Sequence, residues 1–185
     1  PEKAMSWFDV ARHSTRRGDG PICAKGAVTR GSNAPTFAAH VAEVEVDPDT
    51  GKVHILKYTA FQDVGCAINP TLVEGQIQGG ATQGIGWAMS EYYHYNNGVL
   101  QNPSFLDYRM PTSLDLPMLD TVLVEVPSAE GPYGARGVGE VCIVPPPGAL
   151  ANAIYRATGV RMAKLPMTPE AVFWSIREKE KATSN

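Results

Sequence analysis

The alternation of apolar and polar residues predicts a β-hairpin in the first half of the chain. Residues 42–46 place Ala, Val and Val on one face of an extended strand and two Glu on the other. The sequence DPDTG at 47–51 supplies a tight turn, and the alternation resumes at 53–55. We therefore expect two antiparallel strands joined by this turn.

A long helix should follow the hairpin. Asn69 is a suitable N-cap and Pro70 a suitable first helical residue, so the sequence predicts a helix from Pro70 to about Ser90. The apolar side of this helix is expected to carry Leu72, Val73, Ile77, Ala81, Ile85 and Met89.

Turn and capping signals predict the remaining elements. Asn97-Gly98 lies between strand-forming residues and indicates a second hairpin. An apolar strand is expected at 119–126, a helix that Gly159 closes, and a last helix after Thr168. Because strands and helices do not alternate regularly, this order indicates the α+β class. Mixed or antiparallel strands and hairpins would pack with a glycine-rich helix and C-terminal helices.

Two regions are expected along the chain. Residues 1–35 contain a short helical pattern around 5–11 but are otherwise irregular and rich in glycine, as in the tail of a preceding region. Residues 36–185 would form the main domain. The chain does not begin with Met, so it is expected to be a fragment, a processed piece or part of a split subunit.

Charge and composition exclude several classes of function. The net charge of −3 is spread without a basic run, so no nucleic-acid partner is expected. No stretch has the length of an apolar membrane span. Cys23, Cys66 and Cys142 are odd in number and far apart, which favours neither disulfides nor a zinc site. A reducing, cytoplasmic compartment is the default expectation.

Five glycines interrupt the predicted helix in the stretch GQIQGGATQGIG at 75–86. Each costs about 1 kcal/mol relative to Ala, so tertiary contacts must compensate. One interpretation is that a neighbouring helix or strand packs closely against bare backbone. The other is that a flat polar ligand lies there, because Gln76 and Gln83 are seven residues apart and share a helix face.

A second glycine-rich stretch, GPYGARGVGE at 131–140, ends in a single carboxylate, Glu140. The residues that follow are apolar. If Glu140 is buried among them, its pKa is raised, which suits a general base. The alternative is a carboxylate at a helix entry, near the positive end of the helix dipole. Arg136 is expected either to bind an anion or to pair with an acidic side chain, and the thiol of Cys142 to be buried and inert.

The two glycine-rich motifs together resemble one enzyme family. The strings DVGCAINPTLVEGQIQGGATQGIGWAMSE, GARGVGE and ANAIYRATG are similar to the C-terminal part of the molybdenum-binding large subunit of the xanthine oxidase family. The resemblance covers about residues 37–174. That family includes xanthine dehydrogenases, aldehyde oxidoreductases and aerobic carbon monoxide dehydrogenases.

The resemblance implies roles for particular residues. Glu140 corresponds to the active-site base beside the molybdenum, and Gly139 to the same cofactor-facing turn. Gln76 corresponds to a glutamine that contacts the pterin, and Gln83 to a neighbour of it. The bare backbone, expected at Gly79 and Gly80, would then face a molybdopterin.

The resemblance also implies the cofactors, partners and reaction. The cofactor would be molybdopterin with Mo, in the cytosine dinucleotide form typical of bacterial members, with no metal ligand from side chains. Iron–sulfur (2Fe-2S) clusters and FAD are expected on other subunits or domains of a hetero-oligomer that includes the remainder of the molybdenum subunit. The reaction would oxidise a C–H bond of an aldehyde or N-heterocycle, with water as the oxygen source.

Two departures from the family pattern keep a second interpretation open. Val141 and Cys142 follow Glu140, where many relatives have proline, and the family subunit is several times longer. This chain is therefore expected to be inactive alone. The alternatives are a non-catalytic structural or assembly module that retains the scaffold, and an anion-binding domain that uses the 131–139 loop.

Overall fold

The computed structural model of the protein describes residues 4–18, 20–27 and 33–183. The chain divides into two compact units, Pro1–Ser32 and Asn33–Asn185. The boundary lies three residues before the predicted one. That the first residues are the tail of a preceding region stays a prediction.

The first unit contains helix α1, which spans Trp7–Arg16. The backbone N–H of Asp9 donates a hydrogen bond to Oγ of Ser6 at 3.2 Å. Ser is favoured before a helix because its oxygen satisfies an N–H that has no partner inside the helix. The helix begins two residues later and ends five residues later than the pattern around 5–11 predicts.

The second unit contains five strands, which are β1 (Ala38–Val46), β2 (Val53–Asp63), β3 (Tyr95–Asn96), β4 (Val99–Leu100) and β5 (Leu119–Val124). The antiparallel pair β1 and β2 forms the predicted hairpin, with an irregularity in register between Glu43 and Val44. β5 pairs with β2 in parallel, so the sheet is mixed and has the order β1-β2-β5. β3 and β4 form the hairpin expected around Asn97-Gly98.

Helix α2 spans Pro70–Met89, as predicted. The backbone N–H of Leu72 donates to the side-chain oxygen of Asn69 at 3.2 Å, which makes Asn69 the N-cap. Ile77 and Ile85 are buried in agreement with the prediction. The side chain of Leu72 is 67% exposed, so the apolar side of the helix begins at half-buried Val73, one residue later than the sequence indicates.

Two helices complete the unit, α3 at Pro145–Thr158 and α4 at Pro169–Thr183. Gly159 closes α3 as predicted, with φ of 70° and its N–H donating to the carbonyl of Tyr155 at 2.7 Å. α2 and α3 pack against each other, α3 contacts β1, and α2 contacts β5. The core between helices and sheet includes Tyr58, Ala60, Ile77, Ala81, Ile85, Leu150 and Ile154. The α+β class is confirmed.

Candidate functional site

Three of the five glycines in α2 lie against other parts of the chain. A Cβ on Gly80 would be 2.8 Å from Cβ of Cys142, and one on Gly84 would be 2.7 Å from Cγ of Pro146. A Cβ on Gly86 would overlap the loop that follows the helix. Real Cβ atoms do not approach so closely, so these positions lack a side chain because the protein packs there. For Gly80, tight packing within the chain therefore accounts for the bare backbone.

The other two glycines of α2 face open space. Apart from the flanking residues and the backbone of α2 itself, no described atom lies within 4 Å of a Cβ placed on Gly75 or on Gly79. A glycine in a helix interior costs about 1 kcal/mol relative to Ala. No packing contact within the described chain offsets this cost, in contrast to Gly80 and Gly84. Close packing is therefore observed at Gly80 and Gly84, and the bare backbone at Gly75 and Gly79 is open. That a flat polar ligand lies there stays a prediction.

Gln76 and Gln83 are exposed, and the helical spacing places both near Gly80, which contacts Cys142 after Glu140. Residues separated by three, four or seven positions share a helix face, and Gly80 lies between the two glutamines. Gly79 is three positions after Gln76 and lies beside it. The two amide groups therefore border the contact between Gly80 and Cys142 and carry donors and acceptors at its edges.

Glu140 lies at the surface of this chain, directly before the single helical turn Val141–Ile143. From the sequence, we expect Glu140 to be activated as a base only if it is buried. Within this chain it is exposed. Its side chain makes no capping hydrogen bond, and α3 has Val144 as its N-cap. The alternative of a helix-entry carboxylate is thus borne out in position, since Glu140 is the N-cap residue of the turn Val141–Ile143, but not in a side-chain capping bond. Gly139 beside it is exposed, and apart from its two chain neighbours no described atom lies within 4 Å of a Cβ placed on it.

Cys142 connects the turn that follows Glu140 to two other parts of the fold. Its single S–H is shared between two acceptors, the side-chain oxygen of Gln62 and the carbonyl of Val138, each 3.4 Å from Sγ. Its Cβ faces Gly80 of α2. The side chain is fully buried, and this burial raises the pKa of its thiol. The thiol is thus a protonated, buried donor, as expected, and the two glycine-rich motifs are in contact.

The backbone of the 131–140 loop is fastened to the residues that lead from β2 into α2. The N–H of Cys66 donates to the carbonyl of Gly134, and the N–H of Arg136 donates to the carbonyl of Val64, both at 2.9 Å. A Cβ on Gly65, which has φ of 66°, would overlap the carbonyl oxygen of Gly134. Only glycine adopts this conformation readily at such a close approach. The loop that ends in Glu140 is therefore held in place at its start.

Arg136 pairs with an acidic side chain. Its Nε lies 3.3 Å from Oδ2 of Asp63, and the two side chains are only 14% and 13% exposed. Its guanidinium also donates to the carbonyl oxygens of Val126 and Pro35. Of the two expectations for Arg136, the structure shows the paired one, so its charge is already neutralised within the chain.

One histidine of the sheet, His40, is half-buried. Nδ1 of His40 lies 2.8 Å from the hydroxyl of Tyr58, and its Nε2 is buried without a hydrogen-bond partner among the described residues. Burial lowers the pKa of His40 to about 4. Across residues 4–18, 20–27 and 33–183, no group of three or more His, Cys, Asp or Glu side chains is arranged to hold a metal ion. No helix in the same ranges is long and apolar enough to cross a membrane.

Gln62 is the residue of this region that the sequence analysis did not single out. Its side chain is fully buried, on the same face of β2 as Tyr58 and Ala60. A polar residue in register with two inward-facing positions of a strand is the available signal. Using this signal requires knowing which residues of β2 face inward. The alternation of apolar and polar residues is less regular there than at the start of the strand.

Comparison with known proteins defines the class of this chain. Residues 2–117 match the family model of the molybdopterin cofactor-binding domain. The chain is 37% identical over 177 residues to the xanthine dehydrogenase molybdenum-binding subunit of Escherichia coli O157:H7, a match that spans 93% of this chain and 23% of that protein. The unmatched 7% of the chain is too short to reach from either end to Gln76 or Glu140. The matched span therefore includes both residues.

Two further comparisons agree with this class. The chain is 41% identical over 147 residues to the nicotine 6-hydroxylase large subunit of Paenarthrobacter nicotinovorans, spanning 76% of this chain and 18% of that one. Quinoline 2-oxidoreductase from Pseudomonas putida 86 is similar in structure, with a TM-score of 0.70 and 37% identity over 75% of this chain and 18% of that chain. The chain therefore belongs to the molybdopterin cofactor-binding domain family, within the molybdenum-binding large subunits of the xanthine oxidase family. It spans about a quarter or less of the length of these relatives.

Proposed function

We propose that this chain is the cofactor-facing, C-terminal portion of a molybdenum hydroxylase. The whole enzyme would oxidise a C–H bond of an aldehyde or N-heterocycle and take the oxygen from water. Glu140 is the general base in this proposal. The residues proposed to face the pterin are Gln76, Gln83, Gly79 and Gly139, while Gly80 acts by letting Cys142 approach the helix.

The observation that carries the proposal is the contact between α2 and the turn after Glu140. Two motifs more than fifty residues apart in sequence meet where Cβ of Cys142 faces Gly80. Beside this contact lie exposed amides and open glycine backbone, a surface that accepts a flat polar group at close range. The chemistry of these groups fits a pterin, whose ring and phosphate atoms need hydrogen-bond donors and acceptors.

Each residue would perform a simple task. The carboxylate of Glu140 accepts a proton, and the amides of Gln76 and Gln83 donate to and accept from the cofactor. Bound molybdopterin would supply the oxidation–reduction chemistry itself. Since Glu140 is exposed in this chain, the surrounding apolar environment that favours proton uptake near neutral pH would come from the remainder of the subunit.

The partners follow from the same proposal. The remainder of the molybdenum subunit would cover the face that carries Glu140 and supply most of the substrate pocket. Iron–sulfur clusters and FAD on other subunits or domains would remove the electrons, and the cofactor would be the cytosine dinucleotide form. The relatives' names include a nicotine 6-hydroxylase and an aldehyde oxidoreductase, which agrees with a proposal that covers both N-heterocycles and aldehydes.

The test is a Glu140→Gln variant of the complete enzyme complex. We expect molybdenum and pterin content to be retained and turnover to fall by about 10²-fold or more, since this is the usual contribution of a general base. A complex that keeps its cofactor and loses less than about tenfold would remove Glu140 from this role. A complex that never contains molybdenum would instead favour the non-catalytic module.

A further inference from the structure

Gln62 makes the densest set of side-chain hydrogen bonds near the proposed base. The two hydrogens of its Nε2 are shared among three acceptors, which are Oγ1 of Thr36 at 2.8 Å, the carbonyl of Phe37 at 3.2 Å and the carbonyl of Asp63 at 3.1 Å. Its Oε1 accepts from Sγ of Cys142 at 3.4 Å. A fully buried amide is stable in a protein core only when its polar atoms are paired in this way.

Cys142 transmits this anchoring to the turn that carries Glu140. The same Sγ donates to the carbonyl of Val138, two residues before Glu140, and Cys142 itself lies two residues after it. The thiol therefore closes a five-residue turn with Glu140 inside. The backbone N–H of Ile143 donates to the carbonyl of Glu140 at 3.2 Å and holds the end of the same turn.

The amide of Gln62 is itself anchored on several sides. Its donors bind the strand residue that follows it and the segment that leads into β1, and Oγ1 of Thr36 also donates to the carbonyl of Asp63 at 2.5 Å. Asp63 in turn pairs with Arg136 of the loop that leads to Glu140. The Cys142 thiol is thus held between a rigid sheet residue and bare helix backbone at Gly80. Neither neighbour can move without disturbing the core.

We infer that Gln62 and Cys142 form a positioning pair for Glu140. Gln62 fixes the thiol, and the thiol fixes the turn, so that the carboxylate keeps one direction relative to Gln76 and Gly79 on α2. This inference rests on the proposed role of Glu140 as base. It assigns no chemical step to Gln62 or Cys142, since a misplacement of about 1 Å is enough to cost up to 10²-fold in rate.

The test compares Cys142→Ala, Cys142→Ser and the control Cys66→Ala in the complete enzyme complex, with turnover expressed per bound molybdenum. Cys142→Ala removes both bonds of the thiol, and we expect kcat to fall about tenfold with KM changed by less than twofold. The pH dependence of kcat should also shift, because the carboxylate is no longer held in one environment. Cys142→Ser retains a donor, and Cys66→Ala removes a thiol that makes no hydrogen bond to the described residues, so both should stay within about twofold of the parent.

Gln62→Met provides a second, independent readout, because it replaces the amide by an apolar side chain of similar length. It should lower kcat as Cys142→Ala does. In a chain that already carries Gln62→Met, Cys142→Ser and Cys142→Ala should have the same kcat. Equal turnover per molybdenum for Ser and Ala at position 142, with unchanged pH profiles, would overturn the inference. A loss of bound molybdenum alone, with normal turnover per bound metal, would show a purely structural role and overturn it as well.

Failure of this inference and failure of the proposed function give different results. If Glu140→Gln keeps its turnover, the base is another residue, and the positioning inference is wrong as well. If Glu140→Gln loses turnover while Cys142→Ala and Gln62→Met do not, only the positioning inference is wrong.

Discussion

A Cβ atom placed on Gly80 would lie 2.8 Å from Cβ of Cys142, so α2 and the turn after Glu140 meet without room for a methyl group. At the neighbouring Gly79, no described atom outside the flanking residues and the backbone of α2 lies within 4 Å of a Cβ placed there. These adjacent glycines therefore separate two causes of a bare helix backbone. One is packing inside the chain, and the other is an open surface that the proposal assigns to a cofactor.

Alanine at these two positions should have opposite effects on stability. Gly79→Ala should leave the free energy of unfolding unchanged or raise it by up to about 1 kcal/mol, because alanine favours the helix. Gly80→Ala should lower it by about 1–3 kcal/mol, the usual cost of overpacking, because the Cβ of Cys142 belongs to a turn and cannot move freely. Urea unfolding of the two variants measures both. Equal stability would contradict the close contact.

Exchanging glutamines on α2 tests the proposed cofactor face. Gln76 and Gln78 are both exposed, but they lie two positions apart and therefore on different sides of the helix. In the complete enzyme, Gln76→Leu should lower the molybdenum and pterin content per subunit, whereas Gln78→Leu should not. Metal analysis and pterin fluorescence of the purified complexes give the result. Equal loss in both variants would indicate a general effect on folding.

The pair Arg136 and Asp63 should act as a structural unit. Arg136→Met leaves the carboxylate of Asp63 largely buried without its cation, so we expect a loss of about 2 kcal/mol in unfolding free energy. The double variant with Asp63→Asn should recover part of this loss, because the unpaired charge is gone. A double-mutant cycle by chemical unfolding measures the coupling. An Arg136→Met chain of normal stability would show that the guanidinium is free for another partner.

His40 should make the fold sensitive to acid. Burial holds its pKa in the folded chain at about 4, below the ordinary value of 6.5, so the unfolded chain binds the proton more tightly. Its contribution is complete above about pH 6.5 and is lost as the pH falls toward 4. The full linkage is at most about 3 kcal/mol, and partial solvent screening reduces it to about 1–2 kcal/mol.

A His40→Gln variant checks this prediction, because it removes the titrating group and keeps a polar partner for Tyr58. Its stability between pH 7 and pH 4.5 should fall less steeply than that of the parent. His54→Gln changes an exposed histidine of β2 and serves as the control. Parallel pH profiles for the parent and His40→Gln would show that His40 does not carry the effect.

The sequence predicts several elements of this fold to within a few residues. Asn69 and Pro70 begin α2, Gly159 ends α3, and Asn97-Gly98 forms the tip of the second hairpin. Each signal acts within about four residues, through a capping hydrogen bond or a backbone conformation that glycine and asparagine adopt readily. Such features do not depend on which distant surface packs nearby.

Other features depend on segments far apart in sequence. Three features show this dependence, which are the parallel pairing of β2 with β5, the ion pair of Asp63 with Arg136 and the burial of Gln62. Each joins residues more than fifty positions apart or depends on such a pairing. The burial on which the proposed activation of Glu140 was conditional is likewise absent from this chain.

By itself, the sequence determined the capped helix ends, the hairpin turns, the α+β class and the resemblance to a molybdopterin-binding subunit. Only the tertiary structure decided that Gly80 serves internal packing while Gly79 stays open, and that Gln62 and Cys142 lie behind Glu140. The physical reason is that capping and turn energies are set by neighbours along the chain. Close contacts, in contrast, are set by which surfaces meet in the folded protein. A glycine or glutamine in the sequence does not indicate whether it faces protein or open space.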